Sequence, residues 1–331
     1  MIVVRTPFRI PLGGGSTDLP SYYSRHGGFI FAAAINLYMH ITLSRPPIDD
    51  LIRFKYSESE EVASLDELRH QLGREALRAM GITKGIEVAS VADVPQGTGL
   101  GSSGSYMVCL LHALHALNNE PILPHELADK ACYITMETLR LPDGKQDPYA
   151  AALGGFSVLE IDPDGTVHAC QAELAPETVN QFEKNSMLFY TGTRRESQDI
   201  LAEQHKKTVA GDQRLVEQKH RIKEIGKKIL SAFEKGNLSE FGKLMDEHWN
   251  VKRSMSSKMS SDRFDNLYDL AKSSGALGGK IMGAGGGGFF LFYAEGAARD
   301  RVRQAMLKEG LREVGFKVDF EGTKIIFTTE Q

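Results

Sequence analysis

Residues 94–106 read VPQGTGLGSSGSY: four glycines and three serines set between a valine-rich stretch and an apolar run. Glycine lets phosphate approach the backbone where a Cβ would block it. The free N–H groups of a helix N-terminus, with the helix dipole behind them, attract an anion. Gly85–Val94 reads as a strand, and Tyr106–Leu117 (YMVCLLHALHAL) is apolar nearly all round, the pattern of a buried helix. A tether does not sit between a strand and a buried helix, so the stretch reads as an anion-holding loop. A Walker A loop needs a lysine directly after its last glycine, and none follows here. A dinucleotide fingerprint can be laid on Gly99, Gly101 and Gly104, but it needs an acid about 20 residues on, at a strand end. Only Glu120 and Glu126 are near that spacing, in a loop and at a helix start.

The rest of the chain bounds what the loop can serve. At 331 residues the chain exceeds the roughly 250–300 at which single cores stop growing, so two domains are expected. A net charge of −4, with both signs mixed throughout, argues against nucleic acid or an anionic membrane as partner. Cys109, Cys132 and Cys170 are odd in number and lack C-x-x-C spacing, which suggests neither disulfides nor zinc. The first two fall in apolar helical patterns and read as core. The N-terminus MIVVRTPFRI alternates like a strand and lacks a signal peptide's features. No run of about eighteen apolar residues occurs, and the expected location is the cytoplasm.

Strands are expected over Ile2–Arg9, Phe29–Leu43, Leu51–Tyr56 and Gly155–Ile161, with helices over Glu67–Met80 and from about His125 to Leu139. Pro142-Asp143-Gly144 is a turn, and Pro163-Asp164-Gly165 makes a hairpin. A strand from Ser186 leads into a charged, largely helical region from Arg195 to about Ser274. The domains are placed at 1–180 and 181–331.

The stretch Pro95-x-x-x-Gly99-Leu100-Gly101-Ser102-Ser103 is similar to the second motif of the GHMP kinases, the superfamily of galactokinase, homoserine kinase, mevalonate kinase and phosphomevalonate kinase. The other two motifs follow the family order: Pro7-Phe8-Arg9-Ile10-Pro11-Leu12-Gly13-Gly14-Gly15-Ser16-Thr17-Asp18 and Gly278–Phe289. The resemblance implies the two-domain α+β GHMP kinase fold, an N-terminal ATP-binding domain like ribosomal protein S5 domain 2 and a ferredoxin-like C-terminal domain. It also implies ATP and Mg²⁺ as cofactors. The first motif lacks the Glu-His pair of galactokinases and mevalonate kinases. With Gln146-Asp147-Pro148 and Thr191-Gly192-x-x-Arg195 it looks like the heptokinase and fucokinase-like branch, implying transfer to the anomeric C1 hydroxyl of D-glycero-D-manno-heptose 7-phosphate. The partner expected is thus a small-molecule sugar phosphate, with a homodimer left open.

Residue roles follow from the same resemblance. Pro95, Gly97, Gly99, Leu100, Gly101, Ser102, Ser103, Gly104 and Ser105 would cradle the nucleotide's phosphates. Ser103 and Glu137 would hold Mg²⁺. The plainer alternatives are N-capping for Ser102 and Ser103 and a solvated helix face for Glu137. Asp147 would be the base, its ordinary reading being a loop or cap carboxylate, and Asp143 is explained by its Asp-Gly turn. Arg9 would neutralise charge near the acceptor oxygen. Gly14, Gly15, Ser16, Thr17 and Asp18 would face the substrate, although Thr17 and Asp18 could instead cap a short helix. Gly285 and Gly286 would close over it, and Arg195, beside Arg194, would meet an anionic group.

Overall fold

The computed structural model describes residues 1–194, 198–256 and 258–329. In chain order the elements are β1 (Ile2–Gly13), α1 (Pro20–His26), β2 (Gly28–Ser44), β3 (Ile52–Lys55), β4 (Ser59–Val62), α2 (Gln71–Ala79), β5 (Ile86–Ala92), α3 (Ser102–Leu117), α4 (Pro124–Cys132), α5 (Gln146–Leu153), β6 (Phe156–Ile161), β7 (Val167–Gln171), α6 (Pro176–Asn185) and β8 (Ser186–Tyr190). Then follow α7 (Gln198–Val209), α8 (Gln213–Glu234), α9 (Leu238–Arg253), α10 (Asp262–Ser273), β9 (Gly278–Ile281), β10 (Phe289–Tyr293), α11 (Ala297–Lys308), β11 (Arg312–Val314) and β12 (Lys324–Thr328).

The first sheet is built around β1 and β2, two long apolar strands paired antiparallel from Ile2↔Leu43 to Gly13↔Phe31. Proline cannot donate to a ladder, and the two register shifts fall beside Pro7 and Pro11. The far edge of β2 is shared, with β6 along Gly28–Ala33 and β5 along Met39–Ser44. On the other side β12 covers β1 only from Ile2 to Arg5. Beyond that point the edge of β1 is open, and the N–H of Arg9 donates to the carbonyl of Leu100 in the glycine stretch at 3.1 Å.

The helix α3 is buried on almost every side, as its uniform apolarity requires, and Cys109 and Cys132 are core residues. The second sheet, ordered β11-β8-β10-β9, is antiparallel and shares an aromatic core of Trp249, Phe264, Tyr268, Phe290 and Phe292. The change of texture near residue 180 coincides with α6 and the start of this sheet. The last strand nevertheless returns to the first sheet.

Several expected boundaries move for local reasons. The helix expected from Glu67 begins at Gln71, after a single tight turn over Leu65–Glu67. There the His70 ring accepts from the N–H of Gly73 at 3.0 Å and starts the helix. The helix expected through Leu139 keeps its α pitch only to Cys132, then widens into a π turn over Tyr133–Thr138. An eight-residue helix, α5, stands where a loop was expected around Asp147, favoured by its alanines.

The two halves touch by backbone. A Cβ on Gly226 of α8 would lie 2.6 Å from the nitrogen of Gly14, and one on Gly13 would lie 2.5 Å from the Cα of Gly226. Helix propensity alone makes Gly226→Ala stabilising by about 1 kcal/mol, but overpacking against backbone costs about 1–3 kcal/mol. Gly226→Ala is expected to lower the urea midpoint of unfolding, and a raised midpoint would contradict the contact.

Candidate active site

Arg9 lies at the open edge of β1 and is 4% exposed. A buried guanidinium needs a counter-charge and acceptors, and α5 and the glycine loop supply them. Its Nε donates to Asp147 Oδ1 at 2.7 Å and its Nη2 meets the same oxygen at 2.6 Å. Its Nη1 donates to the carbonyl of Gly99 at 2.7 Å. Asp147 sits in the first turn of α5, where a carboxylate suits the helix dipole. Gln146 Nε2 also donates to Asp147 Oδ1, at 3.1 Å. Among the described residues nothing is hydrogen-bonded to Oδ2.

The glycines of the loop make room for this carboxylate. A Cβ on Gly101 would stand 3.2 Å from Asp147 Oδ2, and one on Gly104 would stand 2.5 Å from the Asp147 Cβ. Gly97, Gly99 and Gly101 all have φ near +80°, a region that favours glycine. Gly101 is the residue before α3, with no side-chain cap, so Ser102 and Ser103 stand inside the first helical turn and do not cap it. Their hydroxyls have no hydrogen-bond partner among the described residues. The N–H groups of Ser102, Ser103 and Gly104 likewise lack backbone partners, as a helix start dictates. The first intrahelical donor is Ser105, to the carbonyl of Gly101 at 3.0 Å.

That bond corrects the reading of Ser105. Its N–H is used in the helix and its buried hydroxyl donates to the carbonyl of Pro7 at 2.9 Å, so it fastens α3 to β1 and has nothing left for a phosphate. Leu100 is fully buried, and its carbonyl takes the Arg9 N–H. Thr17 is also fully buried. Its hydroxyl bonds the carbonyls of Gly14 and Phe29 and the N–H of Phe29, so it closes the first-motif loop onto β2 and does not face a substrate. Gly14 is packed too closely on β2 for any side chain, a Cβ falling 1.8 Å from the Phe29 carbonyl. Gly15 and Ser16 remain partly exposed, Ser16 with a φ of 72°.

Asp18 does not cap α1, whose cap is Leu19. It is buried, and its Oδ2 accepts from the N–H of Gln146 at 3.0 Å. Gly144 lets the two elements meet, since a Cβ there would lie 2.1 Å from Asp18 Oδ2. Burial raises the Asp18 carboxyl, and the charge of Asp147 raises it further. The Asp-Gly turn does not exhaust Asp143: burial, then the charges of Asp147 and Asp18, push its carboxyl up to about 6. Three carboxylates thus share the floor of the site. Glu137 is exposed on the π turn and its charge is felt by the Tyr23 phenol, as is that of Asp18.

The third motif forms the β9–β10 turn. Its backbone meets the second motif directly, because a Cβ on Gly288 would fall 2.1 Å from the Thr98 carbonyl and one on Gly283 2.7 Å from the Gly99 Cα. Gly286 is corrected in one respect: its N–H donates to the carbonyl of Met259 at 2.9 Å, so it is tied down from behind. Gly285 is buried against the same residue. Arg194 is exposed, and Arg195 lies outside the described residues. Sequence reasoning missed Lys252 and gave Gln146 and Lys280 no role of their own within their motifs. For Lys280 a signal existed, a lysine within the otherwise apolar and glycine run GGKIMG.

This arrangement, a glycine loop opening a buried helix beside an Arg–Asp pair, belongs to a nucleotide-dependent phosphotransferase. The chain is a member of the GHMP kinase family: residues 64–155 match the GHMP kinases N terminal domain and residues 229–312 the GHMP kinases C terminal domain. It is 30% identical to D-glycero-alpha-D-manno-heptose 7-phosphate kinase of Campylobacter jejuni, over 98% of this chain and 97% of that one. It is 24% identical to L-fucokinase/L-fucose-1-P guanylyltransferase of Bacteroides fragilis, over 91% of this chain but 35% of that protein. Among solved structures it matches a D-glycero-D-manno-heptose 1-phosphate kinase from Bacteroides thetaiotaomicron, with a TM-score of 0.82, 25% identity and full coverage of both chains. A putative sugar kinase from Campylobacter jejuni gives 0.76 at 26% identity, covering 98% of this chain and 97% of that one. The chain is an ATP-dependent sugar kinase. No helix among the described residues is long and apolar enough to cross a membrane.

A carboxyl raised by folding binds its proton more tightly in the native state, so stability falls as pH climbs from the unfolded value near 3.8 toward 6. Asp143→Asn is therefore expected to stabilise the protein above that window and to flatten the fall across it. Urea midpoints measured at mildly acidic and neutral pH check this, and identical pH dependence in both proteins would exclude Asp143 as its source.

Proposed function

We propose that this kinase phosphorylates the anomeric C1 hydroxyl of D-glycero-D-manno-heptose 7-phosphate, giving heptose 1,7-bisphosphate for GDP-heptose and bacterial surface polysaccharide. The reading is supported by the Asp147 carboxylate, whose Oδ1 is held by Arg9 and Gln146 while Oδ2 stays free beside the start of α3. The full-length likeness to a heptose 7-phosphate kinase supports the substrate.

In this proposal the β- and γ-phosphates of ATP lie against the N–H groups of Ser102, Ser103 and Gly104 and the turns at Gly97 and Gly99, where the helix dipole adds attraction. Asp147 Oδ2 accepts the hydrogen of the C1 hydroxyl, holds that oxygen in line with the γ-phosphorus and takes the proton as the new O–P bond forms and the bond to the β-phosphate oxygen breaks. Arg9 fixes Asp147 in place and offsets the negative charge that gathers there. Asp18, with Gly15 and Ser16, faces the sugar, and Arg195 meets its 7-phosphate. Mg²⁺ would supply charge neutralisation to the phosphates. A hard cation needs few protein oxygens beside phosphate and water, and the unpartnered Ser103 hydroxyl fits that need, with Glu137 proposed as the second ligand.

Release of ADP from Mg-ATP should follow addition of heptose 7-phosphate and not of L-fucose. Turnover of L-fucose alone would move the enzyme to the fucokinase-like reading. Asp147→Asn should retain ATP binding while kcat falls by about 10²–10⁴-fold; near-normal turnover would remove Asp147 from the mechanism.

A further inference from the structure

Three buried basic side chains meet where the second sheet touches the first. Lys280 of β9 is 1% exposed, and its Nζ donates to the carbonyl of Leu12 on β1 at 3.1 Å. Lys252, in the last turn of α9, is 8% exposed. It donates to the carbonyls of Gly283 and, at 3.4 Å, Ile281, at the entrance to the third-motif loop. Arg9 from β1 is felt by both lysines. His248, one turn earlier on α9, is buried with neither ring nitrogen bonded. Among the described residues no carboxylate is hydrogen-bonded or ion-paired to either lysine, and Asp147 reaches the group only through Arg9.

The contacts form an unbroken line. Lys252 holds the Gly283 carbonyl, a Cβ on Gly283 would fall 2.7 Å from the Gly99 Cα and one on Gly99 2.7 Å from the Met282 carbonyl, and the Gly99 carbonyl accepts from Arg9, which holds Asp147. We propose that Lys252 is a positioning residue for phosphoryl transfer, clamping the Gly283–Gly288 loop onto Gly99 so that Arg9 and Asp147 stay aligned with the nucleotide's phosphates. The assay of this role rests on the kinase reading above.

The clamp has a pH signature. Burial, and then the charge of Arg9, bring Lys252 down to about 7. The groups facing it, Arg9 from β1, Lys280 from β9 and His248 from its own helix, are all basic. Lys252 is charged below that value and loses its charge above it, and an incoming polyphosphate favours the charged form. The free-enzyme value governs kcat/KM, so kcat/KM for ATP should decline on the alkaline side.

The test compares wild type, Lys252→Arg and Lys252→Met. The Arg variant should keep activity and shift the alkaline decline to higher pH, because a guanidinium does not titrate there. The Met variant should lose kcat by on the order of 10²-fold, more than it loses ATP affinity. Calorimetric titration with ATP in two buffers of different ionisation enthalpy should show proton uptake by wild type near neutral pH and none by Lys252→Arg. The calorimetry needs no sugar, so it stands even where heptose 7-phosphate proves the wrong acceptor. An unshifted alkaline decline in Lys252→Arg, or equal proton uptake in both proteins, would overturn the proposal. Should Lys252→Met fail to fold, the Arg comparison decides alone.

Discussion

Everything in the site is referred to one ion pair. Arg9 is nearly sealed from water, and a charge in that position is tolerated only with a close counter-charge and its remaining donors filled. Asp147 supplies the charge and Gly99 the remaining acceptor, so the first strand, α5 and the glycine loop are drawn to a single point. The open edge of β1 makes this geometrically available: β12 stops at Arg5, and the loop takes over as edge partner at Arg9.

Around that pair the protein is assembled by removing side chains as much as by adding them. The second and third motifs meet through glycine backbone, the first motif meets α8 through Gly13, Gly14 and Gly226, and Asp18 meets α5 over Gly144. Each contact brings main-chain dipoles nearer than any other residue allows, so the site is built from N–H and C=O groups whose positions are fixed by packing. Such preorganised groups need no rearrangement when charge moves between donor and acceptor oxygens.

The parts of the site legible in sequence were those held in short contiguous motifs. The strand, glycine turn and buried helix around residues 94–106 followed from the succession of a strand pattern, glycines and an apolar run. Arg9 and Asp147 stood out by motif context, but their mutual bond spans 138 positions and left no local trace. The capping alternative fails at two helices. Ser102, Ser103 and Asp18 have the side chains of cap residues, yet Gly101 and Leu19 occupy those positions, leaving the polar groups for other partners. Thr17 and Ser105 read as ligands only by resemblance of the first and second motifs, whereas the Thr17 hydroxyl bonds Gly14 and Phe29 and the Ser105 hydroxyl bonds Pro7. Asp143 was hidden for the opposite reason, a local turn explaining it well enough to mask its burial beside two other carboxylates. Lys252 could not be singled out at all, since its acceptors are main-chain carbonyls about 30 residues away, at Ile281 and Gly283.

The return of β12 to the first sheet sets an order on how the molecule is made. β1 is synthesised before the whole second sheet and its partner along Ile2–Arg5 after it. The edge of β1 along Ile2–Arg5 therefore stays unpaired until β12 has been made, the condition under which strand edges recruit foreign partners. The first sheet is therefore not completed as an early unit while the second sheet waits its turn. The first sheet is completed only when residues 324–328 reach β1.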